Sequence, residues 1–81
     1  MRWTVYMLQC ADGTLYTGIA TDVTARIAKH SNGTGAKYTK GRGPFILLMT
    51  ESYDIKGEAL SREAAIKRLR KSEKMKLVAK C

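Results

Sequence analysis

The 81 residues suffice for one small domain, so we expect a single domain over residues 1–81. Hydrophobic residues make up 44% of the chain and charged residues 27%, a balance typical of globular proteins that argues against a disordered tail or a membrane protein. The net charge is +8, and residues 23–50 contain no acid at all. Such an uneven positive charge indicates a polyanionic partner, usually nucleic acid, although a basic surface that only favours solubility is the simpler alternative.

The apolar pattern and the cysteines predict a cytoplasmic location. The longest strongly apolar run covers only residues 45–49, too short to cross a bilayer, and the first residues lack the apolar stretch of a signal peptide. Cys10 and Cys81 have no CxxC partner and no histidine at metal-ligand spacing. We therefore expect neither a zinc site nor a structural disulfide.

A β-hairpin is predicted at the start of the chain. Residues 2–10 and 14–20 are rich in β-branched, aromatic and other apolar side chains, which favours strands, and Asp12-Gly13 marks the turn between them. Both faces of the first strand are largely apolar, which is typical of a central strand covered on both sides.

The length of the hairpin loop decides where two tyrosines lie. A two-residue turn would place Tyr6 and Tyr16 on opposite faces of the sheet. A three-residue loop with a left-handed Gly13 pairs Tyr6 with Gly18 and places both tyrosines on one face. We favour the three-residue loop because the other face then carries a plausible core layer. That layer consists of Trp3, Val5, Met7, Leu15 and Ile19.

A helix is predicted over residues 23–31, because Thr21-Asp22 is a good N-cap and apolar residues recur at helical spacing. Arg26 and His30 are one turn apart on this helix and border its apolar side. We therefore expect both side chains near the sheet.

The loop at residues 32–44 contains four glycines and three bases around one tyrosine. Glycine lets backbone N–H groups approach a phosphate closely, and the bases supply charge. The pattern predicts contact with a nucleic-acid backbone through Lys37, Tyr38, Lys40 and Arg42. An ordinary surface loop is the alternative.

The C-terminal half is predicted to contain a strand over residues 45–53 and a basic helix over residues 58–71. A second helical stretch, or a continuation of the first, follows through residues 73–78. Glu63 lies at the edge of the apolar side of the basic helix. Lys67, one turn later, either contacts nucleic acid or belongs to a solvated helix face.

The motifs resemble those of the GIY-YIG nuclease superfamily. Val5-Tyr6-Met7 and Tyr16-Thr17-Gly18 resemble its paired strand motifs, and Arg26, His30 and Glu63 follow in the expected order. The resemblance covers nearly the whole chain and is closest to small stand-alone bacterial members. Three departures are visible in the motifs: the first reads Val-Tyr-Met instead of Gly-Ile-Tyr, the second reads Tyr-Thr-Gly, a mild change, and no asparagine follows Glu63.

The resemblance implies an α/β (α+β) fold, a three-stranded antiparallel sheet flanked by helices in the order β-β-α-β-α(-α). It also implies an endonuclease that hydrolyses phosphodiester bonds in DNA with one divalent cation, Mg²⁺ or Mn²⁺. Selection would be by DNA structure more than by sequence, and a protein partner that supplies specificity stays open.

The resemblance assigns a role to each motif residue. Tyr16 would be the general base, and a phenol needs nearby positive charge for that task because its ordinary pKa is about 10. Tyr6 would share the hydrogen-bond network, and Arg26 would contact phosphate oxygens. His30 would bind phosphate or assist proton transfer, and Glu63 would be the metal ligand.

Each of these residues also has a simpler explanation. Tyrosines such as Tyr6 and Tyr16 are common in strands. His30 could have a structural role, and Glu63 could simply form an ion pair with Lys67. The full ordered set favours the functional interpretation. The rival interpretations are a nucleic-acid-binding module without catalysis and an accessory subunit that depends on a partner.

Overall fold

The computed structural model describes residues 2–31 and 43–80. Within these ranges the chain forms three strands and three helices: β1 (Trp3–Gln9), β2 (Leu15–Ala20), α1 (Val23–Ser31), β3 (Ile46–Tyr53), α2 (Lys56–Lys67) and α3 (Lys71–Lys80). The strands form one antiparallel sheet in the order β2-β1-β3. This arrangement confirms the predicted fold class. No helix within the described ranges is long and apolar enough to cross a membrane.

β1 is the central strand, as its two apolar faces predicted. The side chains of Val5, Tyr6, Met7 and Leu8 are all 1% exposed or less, which requires cover on both faces of the sheet. One face packs against α2 and α3, and the other packs against α1. The face toward α2 and α3 carries all five residues predicted for it, namely Trp3, Val5, Met7, Leu15 and Ile19.

The hairpin has the register that places both tyrosines together. Tyr6 lies opposite Gly18, and Leu8 lies opposite Tyr16. Gly13 has a φ of 84°, in the left-handed region that favours glycine, and its N–H donates to the Cys10 carbonyl at 2.9 Å. The three-residue loop is therefore confirmed.

α1 begins where the cap predicted it. The Asp22 side chain accepts a hydrogen bond from the backbone N–H of Ala25 at 3.0 Å, which satisfies one free donor of the first turn. The cap fixes the start of α1 directly after β2. The C-terminal end of this short helix, at His30, therefore lies over the sheet.

The prediction of one helix over residues 58–71 was wrong at both ends. α2 begins earlier, at Lys56, and ends at Lys67, and α3 is a separate helix from Lys71. The break is held by a new cap, because the Arg70 N–H donates to the Glu73 side chain at 3.1 Å. No glycine or proline marks this break, and of the two alternatives left open by the sequence, a second helix and a continuation, the structure has the second helix.

A carboxylate–guanidinium pair fastens α2 to β3. Arg62 donates to both oxygens of Glu51, from Nε at 2.8 Å and from an Nη at 3.2 Å, and the Tyr53 hydroxyl donates to Glu51 at 3.0 Å. These contacts explain why Arg62, and not only apolar residues, lies on the inner side of α2. They hold the helix that carries Glu63 in register with the sheet.

We expect Glu51 to make the stability of the fold depend on pH. The Arg62 hydrogen bonds lower the pKa of Glu51 from its ordinary value of 4.5, although burial opposes them. The stabilisation is therefore fully present above that ordinary value and is lost as the pH falls through the lowered folded-state pKa. Glu51→Gln should reduce the free energy of unfolding by about 1 kcal/mol at neutral pH and by much less in acid. Urea denaturation at both pH values measures this.

Asp54→Asn is the matched control. Asp54 pairs with Arg2 at 3.5 Å, but the two side chains are 84% and 74% exposed, so little stability depends on the pair. A loss in Asp54→Asn with the same size and pH dependence would contradict the role given to Glu51.

Candidate functional site

The central contact of the site is a buried hydrogen bond between Tyr6 on β1 and His30 at the end of α1. The Tyr6 Oη and the His30 Nε2 are 3.0 Å apart. Tyr6 is 1% exposed and His30 is 2% exposed, so both polar groups depend on protein partners and not on bulk water. This contact joins the central strand to α1.

Tyr16 and Phe45 complete an aromatic cluster around His30. The Tyr16 ring centroid is 5.1 Å from that of His30 in an edge-to-face arrangement, and 6.3 Å from that of Tyr6. The Phe45 ring lies 5.9 Å from His30 on another side. The sequence does not indicate Phe45 as a site residue, because the register of β3 shifts between Met7 and Leu8 and nothing in the sequence marks that shift.

Gly18 leaves the space in which the two tyrosines meet. A Cβ added there would lie 2.7 Å from the Tyr6 Oη, closer than Cβ atoms pack, and 3.1 Å from Cε2 of Tyr16, a tight contact. The Tyr6 ring therefore lies across the position that a side chain of β2 would otherwise fill. The glycine of the second motif is required by this close approach.

Burial keeps both partners of the central hydrogen bond neutral. Burial, followed by the nearby Tyr16, raises the pKa of Tyr6 well above its usual value of 10.0. Burial, together with the positive charge of Arg26, lowers the pKa of His30 below 6.5. At neutral pH the pair is therefore a phenol and an uncharged imidazole that share one hydrogen bond.

Two charged side chains act on this network from opposite sides of the sheet. Arg26 on α1 is exposed, yet its charge lowers the pKa of both Tyr6 and His30. Glu63 on α2 is only 18% exposed, and its charge raises the pKa of Tyr6. The Lys67 Nζ lies 3.4 Å from Glu63 Oε2, so the pair that the sequence offered as the simpler explanation is present.

The fold thus brings together the five residues that the motifs singled out, Tyr6, Tyr16, Arg26, His30 and Glu63, with Lys67 beside them. The four predicted nucleic-acid contacts of the glycine-rich loop, Lys37, Tyr38, Lys40 and Arg42, lie outside the described residues. Their role stays a prediction.

Comparison with known proteins gives a family. Residues 2–77 match the model of the GIY-YIG catalytic domain. The chain belongs to the GIY-YIG family. A UPF0213 protein of Halobacterium salinarum is 54% identical over 70 residues, which are 86% of this chain and 91% of that one. A UPF0213 protein of Staphylococcus epidermidis is 53% identical over 74 residues, which are 91% and 90% of the two chains.

Two solved structures share the fold. The solution structure of a UPF0213 protein from Bacillus halodurans is 49% identical, with a TM-score of 0.64 over 98% of this chain and 84% of that one. A protein from E. faecalis is 38% identical, with a TM-score of 0.65 over 95% and 83% of the two chains. The resemblance seen in the sequence is confirmed, and GIY-YIG domains form a nuclease superfamily.

The possible metal ligands of this GIY-YIG domain suit a hard divalent cation that needs few protein ligands better than a metal ion that needs several. Among the described residues, no three His, Cys, Asp or Glu side chains group closely enough to hold a metal ion. Within residues 2–31 and 43–80, Glu63 is the carboxylate whose charge acts on Tyr6. Mg²⁺ suits such a site, because it keeps several waters and needs only one or two protein carboxylates together with substrate phosphate.

We expect Gly18→Ala to destabilise the protein by about 1–3 kcal/mol, because the added methyl group overlaps the Tyr6 hydroxyl. Gly57→Ala on α2 is the control: an added Cβ there meets no atom within 4 Å, and alanine is the better helix former. Gly57→Ala should be neutral or stabilise by up to about 1 kcal/mol. Thermal unfolding compares the two, and equal effects would show that Gly18 is not held against Tyr6.

The chain has a single histidine, so NMR can follow its titration without ambiguity. We expect the His30 ring to titrate below pH 6.5, because burial and Arg26 both disfavour the imidazolium. Arg26→Gln should move the midpoint upward. Lys29→Gln removes a positive charge from the same helix and should move it less; an equal or larger movement would contradict the role of Arg26.

Proposed function

We propose that this protein is a metal-dependent DNA endonuclease that hydrolyses phosphodiester bonds. The observation that supports this proposal best is the buried 3.0 Å hydrogen bond between Tyr6 and His30, beside the ring of Tyr16. A purely structural cluster has no need for two tyrosines, a histidine and two opposite charges acting on one hydroxyl. Perturbed groups of this kind cluster at functional sites.

The environments of the two tyrosines favour different roles for them. Tyr6 is held as a phenol by burial, so it donates a hydrogen bond and does not give up its proton. Tyr16 raises the pKa of Tyr6, so the two hydroxyl groups interact, and a proton donated by Tyr6 would stabilise negative charge on the Tyr16 oxygen. Tyr16 is therefore the base that takes the proton from an attacking water.

His30 supports this arrangement through its hydrogen bond with Tyr6. Its Nε2 is engaged by Tyr6 and the ring is buried, which favours the proton-transfer role over direct contact with phosphate. If Nε2 carries the proton, it donates to the Tyr6 oxygen, and the Tyr6 hydroxyl hydrogen is then directed to Tyr16. His30 thus orients Tyr6 as a donor.

Hydrolysis follows from these positions. The water oxygen attacks phosphorus as Tyr16 accepts its proton, and the bond from phosphorus to the leaving sugar oxygen breaks with its electron pair on that oxygen. Arg26 is exposed and positively charged, which suits it to the phosphate oxygens that gain charge in the transition state. Glu63 would hold the divalent cation, which supplies charge neutralisation at the phosphate when bound.

We expect selection by DNA structure more than by base sequence. The cations beside the site, Arg26 and Lys67, are side chains that contact phosphates, and phosphate contacts carry no direct sequence information. A nucleic-acid-binding module without catalysis is the second candidate. It is favoured by the contact of Lys67 with Glu63, which engages the carboxylate offered to the metal.

Cleavage of labelled single-stranded, duplex and branched DNA, with Mg²⁺ or with EDTA, tests the proposal. We expect Tyr16→Phe and Glu63→Gln to reduce the cleavage rate by about 10²–10⁴-fold, because each removes a group that acts in the chemical step. Binding of the same DNA should persist in both variants.

Two controls remove the same chemical groups outside the site. Tyr53→Phe deletes a tyrosine hydroxyl that hydrogen-bonds Glu51, and Glu58→Gln deletes an exposed carboxylate on the helix that carries Glu63. Both should cleave like wild type. Products that persist equally in all four variants would contradict the assigned site, and binding without metal-dependent products from wild type would favour the binding module.

A further inference from the structure

A cavity of about 350 Å³ lies along the outer edge of β2, next to the proposed catalytic site. β2 is an edge strand, because the sheet order is β2-β1-β3. The cavity is lined by three consecutive strand residues, by α2 and by α3: Leu15, Tyr16, Thr17, Lys67 and Lys74. Consecutive residues of a strand point to opposite faces, so the cavity follows the edge of the sheet and not one face.

The backbone of β2 directs donors into this edge. The Cys10 N–H donates to the Thr14 carbonyl at 2.8 Å, so this pair is a hydrogen-bonded pair of the hairpin. Hydrogen-bonded and non-hydrogen-bonded pairs alternate along an antiparallel ladder. The N–H groups of Leu15 and Thr17, together with their carbonyl groups, therefore point away from β1, along the edge that the cavity follows.

The charge of the lining suits an anion. Two of the five lining residues are lysines and none is acidic. Lys74 is partly buried and lines the cavity together with Lys67. Lysine ammonium groups beside edge-strand N–H groups match the requirements of a phosphate.

The cavity is joined to the proposed site through two of its lining residues. Tyr16 is the proposed base, and Lys67 contacts the proposed metal ligand Glu63 at 3.4 Å. A phosphate held here would therefore belong to the strand being cut, beside the bond that breaks. A volume of about 350 Å³ is near the lower end of small-ligand sites, which suits one nucleotide and not a duplex.

We propose that the cavity at the β2 edge binds one unpaired nucleotide next to the cleaved bond, with its phosphate between Lys67 and Lys74. This inference rests on the proposed nuclease function and narrows it to substrates with a single-stranded segment at the cut. Leu15 supplies an apolar surface for the sugar or base. Lys74, which is not one of the five motif residues, supplies an additional positive charge.

Lys74→Gln tests the inference through binding, without need of cleavage. Fluorescence anisotropy with a labelled single-stranded DNA oligonucleotide, in EDTA, should show about fivefold weaker binding at about 0.1 M salt, because one phosphate contact on a single strand contributes a salt slope of about 0.7. The slope itself should fall by about 0.7. Binding of a blunt duplex should change less.

Lys76→Gln is the matched control on the same helix. Lys76 is exposed and does not line the cavity, because it lies two residues from Lys74 and so on another side of α3. It should leave the affinity for the single strand within about twofold of wild type. Equal weakening by the two variants, or an equal effect on single strand and duplex, would overturn the subsite.

The outcome separates the two proposals. Weaker single-strand binding in Lys74→Gln alone, with no cleavage by wild type, would support the nucleotide subsite and contradict the nuclease. Normal cleavage by wild type, with Lys74→Gln indistinguishable from Lys76→Gln, would keep the nuclease and overturn the subsite. Thermal unfolding of both variants excludes a folding defect as the cause.

Discussion

The site depends on the close approach of the Tyr6 ring to Gly18 across the β1–β2 pair. The Tyr6 ring can reach across β2 only because the facing position, Gly18, has no side chain. The hydroxyl lies 2.7 Å from where a Gly18 Cβ would be, so it is above the edge strand and not above the sheet centre. The hydrogen bond to His30 depends on the position of this oxygen.

Because the hydroxyl lies above an edge strand, helices on both faces of the sheet can act on it. His30 reaches it from α1 at 3.0 Å, and the charge of Glu63 acts on it from α2. In a sheet with Tyr6 over the centre, the strands would separate a group on α2 from this hydroxyl.

The sequence was sufficient for the fold and for the motif residues, because both depend on local signals. Alternation, the Asp22 cap and the left-handed Gly13 predicted β1, β2, α1 and the register that unites the tyrosines. It left open whether α3 is a separate helix or a continuation of α2, because the break depends on Glu73 accepting a hydrogen bond from the Arg70 N–H. It could not place Phe45 on His30, since nothing in the sequence marks the shift in β3 register.

Charge and burial have opposite effects on the pKa of Tyr6 and the same effect on the pKa of His30, the two partners of the central hydrogen bond. For Tyr6, burial raises the pKa and Arg26 lowers it, whereas for His30 both lower it. Arg26 thus makes the Tyr6 hydroxyl a stronger hydrogen-bond donor toward Tyr16. It also makes the His30 imidazole a weaker base, so His30 stays uncharged. Arg26 therefore has two effects, one at the phosphate and one within the network. Lost activity in a neutral variant of Arg26 would report both effects together, and the His30 titration separates them.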